Sequence, residues 1–281
     1  MKRPNLVYVF ADQLRTCSCG YAGDEMARTP NIDKLATRGM NFINAVSSTP
    51  VCAPYRASLF TGKYQSSNGM VINELRLSPD HDCFGHALTR GGYDTAYVGK
   101  WHLWANELGN HGAVRNGFTP PGAYRLGFDG EWYGYNFNHN YYNSPYYNDK
   151  PKTEHYKQYE PDAQTDVAIQ YMRKASQSDK PFALFLSWGP PHAPWSWKNV
   201  PPQYADMYRD KKMPLRPNYR AEPTTYGDDW QTPAPDYAEY LQQMMQVYYA
   251  QTANIDWNIG RLMDELDKLG LAEDTIFVFT S

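Results

Sequence analysis

The segment Val51–Gly62 contains a cysteine, a proline and an arginine within five residues of one another. Together these residue types could bind an anionic substrate and react with it. Pro54 suits the first position of a short helix, because its missing N–H would have no partner there. Cys52 is then expected at the helix N-terminus, where free N–H groups and the macrodipole favour an anion and lower the pKa of a thiol. Arg56 follows about one turn later and can reach back toward Cys52. The segment therefore predicts a nucleophile and an anion cradle beside a guanidinium group.

Other polar residues that could bind a ligand follow predicted strands. They are Asp12 and Gln13 after Leu6–Phe10, Lys100 and His102 after Thr95–Val98, and His192 after Phe182–Leu186. Ligands of open α/β sheets bind at the carboxyl ends of the strands, so these side chains are expected to converge. Asp12 and Gln13 offer the oxygen donors that Ca²⁺ or Mg²⁺ prefers. Taken singly, each residue also has a plainer interpretation, such as an inert buried cysteine, a loop cap or a surface histidine.

The order Cys-x-Pro-x-Arg followed by Thr-Gly resembles the signature of the type I sulfatases, which belong to the alkaline-phosphatase superfamily. Five further segments resemble that family in the same order along the chain. They are Asn5–Gln13, Thr29–Ala36, Gly99–His102, Pro191–Pro194 and Gly270–Ser281. The resemblance covers nearly the whole chain and implies a sulfatase-like fold and activity.

The resemblance also implies a modified nucleophile. In that family a formylglycine-generating or an anaerobic sulfatase-maturing enzyme oxidises the signature cysteine, here Cys52, to formylglycine. The hydrated aldehyde then attacks sulfur, the alcohol leaves, and collapse of the diol releases sulfate. A plain serine or cysteine ester lacks this easy release, which gives a physical reason for the modification.

Roles for the remaining residues follow from the same resemblance. The implied catalytic set is Cys52, Arg56, Lys100, His102 and His192, and the implied ligands of a Ca²⁺ or Mg²⁺ ion are Asp12, Gln13 and position 52. Lys100 and His102 would contact the sulfate and the nucleophile, whereas His192 would contact the leaving-group oxygen. Many family members carry aspartate where this chain has Gln13. The other five histidines match no motif and are interpreted as structural.

The end of the chain departs from the family pattern. After Thr280 and Ser281, family members continue into an Asp-His or Asp-Asn pair that completes the metal site, then a lysine and a smaller domain. We therefore expect residues 1–281 to form an incomplete sulfatase-like catalytic domain with little sulfatase activity by itself. An exposed final strand would also favour oligomers or poor solubility.

Composition limits the other possibilities. A chain of 281 residues suits one large α/β domain, and its net charge of −3 gives no basic footprint for nucleic acid. No apolar run reaches membrane-spanning length. Met1 lies just ahead of the first strand without a signal peptide, so a native Met1 predicts a cytoplasmic protein. Removal of a leader would instead predict a periplasmic or secreted protein.

The order of elements predicts an α/β fold with a mostly parallel sheet sandwiched by helices, as in alkaline phosphatases and sulfatases. Predicted strands cover the three apolar runs named above, Met40–Val46 and Thr275–Thr280. The predicted helices are Asn31–Arg38, the Cys52 helix, Cys83–Thr89, Asp162–Ala175 and Tyr237–Leu269. Two long segments, Asn106–Glu160 and Pro190–Pro235, are predicted functional loops. Tyrosines between Tyr124 and Tyr159 are expected either to cover the mouth of the site for sugar rings or to pack as ordinary loop residues.

Three functions remain open from the sequence. The first is a sulfuric ester hydrolase acting on a sulfated carbohydrate or an aryl sulfate. The second is a phosphonate or phosphodiester hydrolase of the same superfamily, some of which share the Cys-x-Pro-x-Arg motif. The third is a carbohydrate-binding protein on a sulfatase scaffold that has lost catalysis, against which the intact set of candidate catalytic residues argues.

Overall fold

The computed structural model describes residues 3–105, 108–219 and 237–281, so parts of both predicted loops lie outside the described residues. A five-stranded sheet forms its centre, with the strand order β3-β2-β6-β1-β7. The strands are β1 (Asn5–Ala11), β2 (Asp94–Lys100), β3 (Glu131–Tyr135), β6 (Phe182–Trp188) and β7 (Thr275–Thr280), and β4 (Pro145–Tyr146) and β5 (Glu154–His155) form a separate antiparallel pair. Every pairing in the main sheet is parallel, which confirms the predicted fold class.

Eight helices accompany these strands in the described residues. They are α1 (Pro30–Arg38), α2 (Cys52–Thr61), α3 (Gln65–Asn68), α4 (Phe84–Arg90), α5 (Val114–Gly117), α6 (Glu160–Ala175), α7 (Pro202–Ala205) and α8 (Tyr237–Lys268). The five predicted helices all occur, with boundaries shifted by at most two residues. Within the described chain, no helix combines the length and the apolar character that crossing a membrane requires.

The two faces of the sheet bury separate hydrophobic clusters. Alternate residues of β1 divide between them, because Val7 and Val9 face the side covered by α1, α6 and α8 whereas Phe10 faces the side covered by α2 and α4. The second side is rich in aromatic rings, including Phe60 and Trp101 with centroids 5.1 Å apart. Burial on both faces explains why the central strands β2 and β6 are continuous apolar runs and not alternating ones.

Two sequence-based predictions about strands are wrong. Met40–Val46 forms no strand, and Met40 and Val46 are 79% and 89% exposed, because no described strand lies beside this segment to pair with its backbone. Conversely, β3 lies inside the segment predicted to be a functional loop. It pairs with β2 over Ala96–Lys100, although its Gly and Tyr content gives no continuous apolar run.

Candidate active site

Four of the predicted site residues meet at the carboxyl edge of the sheet. Asp12, which follows β1, accepts a hydrogen bond from Lys100 Nζ at 2.6 Å and one from the Arg56 guanidinium at 3.4 Å. The Cys52 thiol donates to Asp12 Oδ1 at 3.4 Å and lies 3.7 Å from Lys100 Nζ. Two cations against one carboxylate give this cluster an excess of positive charge. The expected convergence is therefore present.

Cys52 is the first residue of α2, and not the residue ahead of the helix. Val51 is the N-cap, so Pro54 occupies the third helical position, and Gly62 ends the helix in a left-handed conformation as predicted. The predicted lowering of the thiol pKa is wrong. Burial raises the pKa of Cys52, and the carboxylate of Asp12 adds to that rise, so that Lys100 and Arg56 only partly offset it. The free thiol is therefore largely un-ionised at neutral pH.

Arg56 is fully buried on the inner side of α2. Its guanidinium donates to Ser187 Oγ at 2.8 Å, to the backbone oxygen of Lys100 and to Asp12. The structure gives it no hydrogen bond to Cys52, so the expected reach back toward the thiol is made only through Asp12. Opposite charge keeps Asp12 ionised. Burial alone would raise the pKa of Asp12, but Lys100 and Arg56 hold it well below its usual range.

Lys100 is the last residue of β2, and the backbone just before it passes very close to β6. Gly99 has a φ of +106°, and a Cβ atom there would lie 2.0 Å from the backbone oxygen of Ser187. Only glycine permits this approach, which brings the ends of the two strands together and directs the Lys100 side chain to Asp12.

His102 lies two residues beyond β2 with a φ of 58°, an uncommon conformation for a residue that is not glycine. Its ring is buried, packs edge-on against Phe137 at 4.8 Å, and has no hydrogen-bond partner on either nitrogen. Burial, followed by the charges of Lys100 and Arg56, lowers the pKa of His102 well below its ordinary value. Both nitrogens are themselves buried, and the described residues that line the cavity beside Cys52 do not include His102.

His192 lies in the turn after β6 and lines the same cavity as Cys52 and Asp12. This cavity has a volume of about 400 Å³, and Gln13 and Ser281 also line it. His192 Nδ1 lies 3.0 Å from the backbone oxygen of Ala193. Since a carbonyl oxygen only accepts, Nδ1 carries the proton and Nε2 is the nitrogen that can exchange one with a ligand. Burial and Lys100 lower the pKa of His192.

The oxygen donors beside Cys52 suit a hard cation. Asp12 contributes an ionised carboxylate, and Gln13 contributes an amide oxygen at the exposed rim of the cavity. In the described parts of the chain, no three His, Cys, Asp or Glu side chains gather as a metal site. Ca²⁺ takes 6–8 oxygen ligands. Asp12 and Gln13 therefore fit such an ion as part of its ligand shell.

Several residues near the site carry no sequence signal. Ser187 lies inside the apolar run of β6, so its hydrogen bond with Arg56 was not predictable. His139, interpreted as structural, stacks on His192 with the ring centroids 4.6 Å apart. No motif surrounds His139, so the sequence did not indicate a place for it in the site.

Packing accounts for most of the tyrosine-rich segment. Five of its tyrosines are buried: Tyr135, Tyr141, Tyr147, Tyr156 and Tyr159. The segment also supplies β3, β4 and β5. Only its portion around Phe137–Tyr141 contacts His102 and His192. These buried side chains therefore do not form an extended layer of tyrosines that is exposed to sugar rings.

Comparisons with known proteins test the family resemblance. The family model described as Sulfatase matches residues 4–281. The ulvan-active sulfatase of Formosa agariphila is 39% identical over 280 residues, which cover 99% of this chain and 50% of that protein. The endo-4-O-sulfatase of Bacteroides thetaiotaomicron is 27% identical and is covered over 58% of its length. This chain thus spans about half to three fifths of these curated relatives.

Solved structures give the same result. A protein assigned as the sulfatase yidJ from Bacteroides fragilis superposes with a TM-score of 0.86 at 30% identity, covering 99% of this chain and 62% of that one. The phosphonate monoester hydrolase of Agrobacterium radiobacter superposes with a TM-score of 0.69 at 22% identity, covering 99% and 62%. The second likeness extends to the fold alone.

Proposed function

Because this chain belongs to the sulfatase family, we propose that it hydrolyses sulfate esters of a glycan, with position 52 matured to formylglycine as the nucleophile. One observation carries the proposal. Residue 52 is the first residue of α2. Its side chain lies between the Asp12 carboxylate and the Lys100 ammonium group, in a cavity that His192 also lines. A nucleophile, cations and a proton-transfer group are thus within reach of one ligand.

The thiol itself is a poor nucleophile here, which supports modification. Burial raises the pKa of Cys52, so little thiolate forms at neutral pH. Formylglycine supplies, as its hydrate, a hydroxyl nucleophile and an easy exit for sulfate. We propose a formylglycine-generating enzyme or an anaerobic sulfatase-maturing enzyme as the partner that acts on Cys52.

The residues around position 52 suit an ester of sulfuric acid. The sulfuryl group carries negative charge spread over its oxygens, so catalysis depends mainly on preorganised positive charge and donors. Lys100 and the N-terminus of α2 provide both beside residue 52, and Arg56 adds a buried cation behind Asp12. His102, whose two buried ring nitrogens lack a partner, is proposed to donate one ring N–H to a sulfate oxygen.

His192 is proposed to protonate the leaving group. When the S–O bond to the sugar breaks, the electron pair goes to the sugar oxygen, and protonated His192 can donate its Nε2 proton to that oxygen. Nδ1 remains bonded to the Ala193 carbonyl during this transfer. The lowered pKa of His192 makes its protonated form a stronger acid but a minor species at neutral pH.

A divalent cation, Ca²⁺ or Mg²⁺, is proposed at Asp12, Gln13 and position 52. The support is the ionised carboxylate of Asp12 and the neighbouring amide oxygen, both hard donors at the cavity. When bound, the ion would add positive charge next to the sulfuryl group. Millimolar Ca²⁺ should raise the melting temperature of the protein, and Asp12→Asn should remove the rise whereas Asp82→Asn, an exposed aspartate, should retain it.

The proposed substrate class is a sulfated glycan. Relatives are named for ulvan activity and for endo-4-O-sulfatase activity, and a solved structure at 25% identity holds D-glucosamine-2-N,6-O-disulfate. These names describe those proteins. The sugar that this protein accepts is a question for a panel of defined sulfated oligosaccharides.

The function is tested with protein co-expressed with a formylglycine-generating enzyme and supplied with Ca²⁺. Release of sulfate from 4-nitrophenyl sulfate and from at least one sulfated oligosaccharide should be slow with residues 1–281 alone and faster with a version extended past Ser281, and peptide mass spectrometry should find an aldehyde at position 52. Cys52→Ala should abolish turnover. Cys83→Ala is the matched control, because Cys83 also lies at a helix N-terminus but lacks the Pro-x-Arg sequence.

Three outcomes would contradict all or part of the proposal. Turnover of an aryl phosphonate with none of the sulfate would favour the phosphonate hydrolase alternative. Full activity of Cys52→Ala would show that the nucleophile is another residue. Absence of an aldehyde at position 52, with sulfate still released, would reject the modification alone.

A further inference from the structure

A buried hydroxyl group contacts the backbone of His192. Tyr141 is completely buried, and its hydroxyl donates to the carbonyl oxygen of His192 at 2.8 Å and lies 3.2 Å from that of Ala193. The Ala193 oxygen is also the acceptor for His192 Nδ1. One hydroxyl therefore holds both the backbone of His192 and the carbonyl that fixes its tautomer.

A buried carboxylate anchors the same turn from the other side. Glu160, at the start of α6, accepts hydrogen bonds from Tyr135 Oη at 2.8 Å, Asn138 Nδ2 at 3.2 Å, the backbone N–H of Gly189 at 3.2 Å and Ser144 Oγ. Each carboxylate oxygen thus accepts two donors. No cation pairs with this carboxylate in the described chain. Burial raises the pKa of Glu160, and these four hydrogen bonds oppose that rise without a cation beside the carboxyl group.

These contacts join two segments, 135–144 and 189–199, at several further points. Asn199 Oδ1 accepts from the Tyr141 N–H at 2.9 Å, and the ring of His139 stacks on His192 with an interplanar angle of 6°. Gly189 fits tightly between the segments, since a Cβ there would lie 2.8 Å from Glu160 Oε1 and from Tyr141 Cε1. The His192 turn is thus attached to a rigid, buried network.

We propose that Tyr141 and Glu160 are positioning residues for His192, holding its imidazole where Nε2 can give a proton to the leaving-group oxygen. This proposal rests on the proposed function, because it assigns His192 that proton transfer. Neither residue needs to touch substrate. Their effect should therefore depend on how strongly the leaving group requires a proton. Nitrophenolate is a weak base that leaves without one, whereas a sugar alkoxide requires one.

The experiment compares Tyr141→Phe with Tyr159→Phe on two substrates. Tyr159 is also buried, but its hydroxyl has no hydrogen-bond partner in the described residues, so Tyr159→Phe removes an equivalent group without a contact. For Tyr141→Phe we expect kcat on a sugar sulfate to fall about tenfold or more, against a change of less than about twofold on 4-nitrophenyl sulfate. Tyr159→Phe should change neither by more than about twofold.

A second variant and a second readout separate positioning from general loss of structure. Glu160→Gln replaces one acceptor oxygen with an NH₂ group that faces two donors, so it should show the same selective loss. Long-range ¹⁵N–¹H spectra of histidine-labelled protein, with the His192 signals identified from His192→Gln, should show an Nδ1–H tautomer in the parent and in Tyr159→Phe. Tyr141→Phe should show mixed tautomers.

The outcomes distinguish the two proposals. If neither the 281-residue protein nor a version extended past Ser281 hydrolyses either ester, the proposed function fails, and the tautomer spectra still test the positioning of His192. Equal losses on both esters accompanied by a lower melting temperature would show a purely structural role and would overturn the positioning proposal. An unchanged tautomer with unchanged leaving-group dependence in Tyr141→Phe would overturn it as well.

Discussion

The Cys52 thiol lies between a carboxylate and an ammonium group, and its ionisation depends on both. Burial raises the pKa of Cys52, Lys100 lowers it and Asp12 raises it. Removing the Asp12 charge should therefore lower this pKa, and removing the Lys100 charge should raise it further. The reactivity of the unmodified thiol reports these shifts directly, because only thiolate reacts with an alkylating reagent.

We expect iodoacetamide to alkylate Cys52 about three- to tenfold faster in Asp12→Asn than in the parent at pH 8, since one pKa unit changes the thiolate population about tenfold. Lys100→Met should react more slowly than the parent. The measurement uses peptide mass spectrometry on protein made without a maturation enzyme and kept in a chelator. Exposed Cys17 is the internal reference. Equal rates at Cys52 in all three proteins would show that neighbouring charges do not control the thiol.

At the scale of the elements, a residue of α8 accepts hydrogen bonds from the backbone N–H groups at the start of α1. Asp256 Oδ1 accepts from the backbone N–H groups of Asn31 and Ile32 at 2.9 and 2.8 Å, and Oδ2 accepts from the Asn31 side chain at 2.8 Å. Thr29, the residue expected to start this helix, makes no side-chain cap hydrogen bond to it. Burial nevertheless raises the pKa of Asp256 to about 6, although the three hydrogen bonds favour its charged form.

This raised pKa predicts how stability depends on pH. The folded state binds a proton at Asp256 more tightly than the unfolded chain, so its contribution is fully present below about pH 4 and is lost as the pH rises through about 6. We expect the free energy of unfolding of the parent, relative to Asp256→Asn, to fall by about 1–3 kcal/mol between pH 4 and pH 7. Asparagine retains an oxygen for both backbone N–H groups. Urea unfolding at several pH values measures the difference, and a constant difference would contradict the prediction.

The junction of β2 and β6 gives a second prediction about an element. Gly99→Ala should destabilise the protein by about 3 kcal/mol or more, because the new Cβ meets the Ser187 carbonyl as well as requiring a positive φ. Gly69→Ala is the matched control. Its φ of +78° is also positive, but nothing lies within 4 Å of the added Cβ, so only the conformational cost of about 1 kcal/mol of the left-handed region remains. Similar losses of stability in both variants would show that the close approach costs nothing.

At the scale of the whole molecule, the fold was predictable wherever a strand is a continuous apolar run, whether it is buried on both faces like β6 or partly exposed like β7. The runs that became β1, β2, β6 and β7 are continuous and apolar, and the residues that follow β1, β2 and β6 converge as the parallel order requires. The edge strand β3 was missed because Glu131-Trp-Tyr-Gly-Tyr135 resembles the loop around it. Contacts such as those of Ser187 and Tyr141 depend on distant segments meeting, which no local pattern in the sequence encodes.

The apolar segment Met40–Val46 lies at the surface and not in the sheet. Its apolar residues suggested a strand, yet Met40, Phe42, Ile43 and Val46 are largely exposed in the described structure. Adjacent exposed apolar side chains favour association, whereas single ones are ordinary at a surface. The oligomer expected from the sequence thus has a second candidate cause besides the final strand.

We expect the 281-residue chain to associate in a concentration-dependent manner, and the double variant Phe42→Glu with Ile43→Glu to shift it toward monomer without lowering its melting temperature. Both side chains contact solvent, so folding should not depend on them, while each added carboxylate opposes burial in a contact between copies. Leu108→Glu is the control, since Leu108 is equally exposed but lies outside this segment. Light scattering coupled to size exclusion gives the mass of each variant over a range of concentrations. A monomeric parent, or an equal shift with Leu108→Glu, would show that this segment does not direct association.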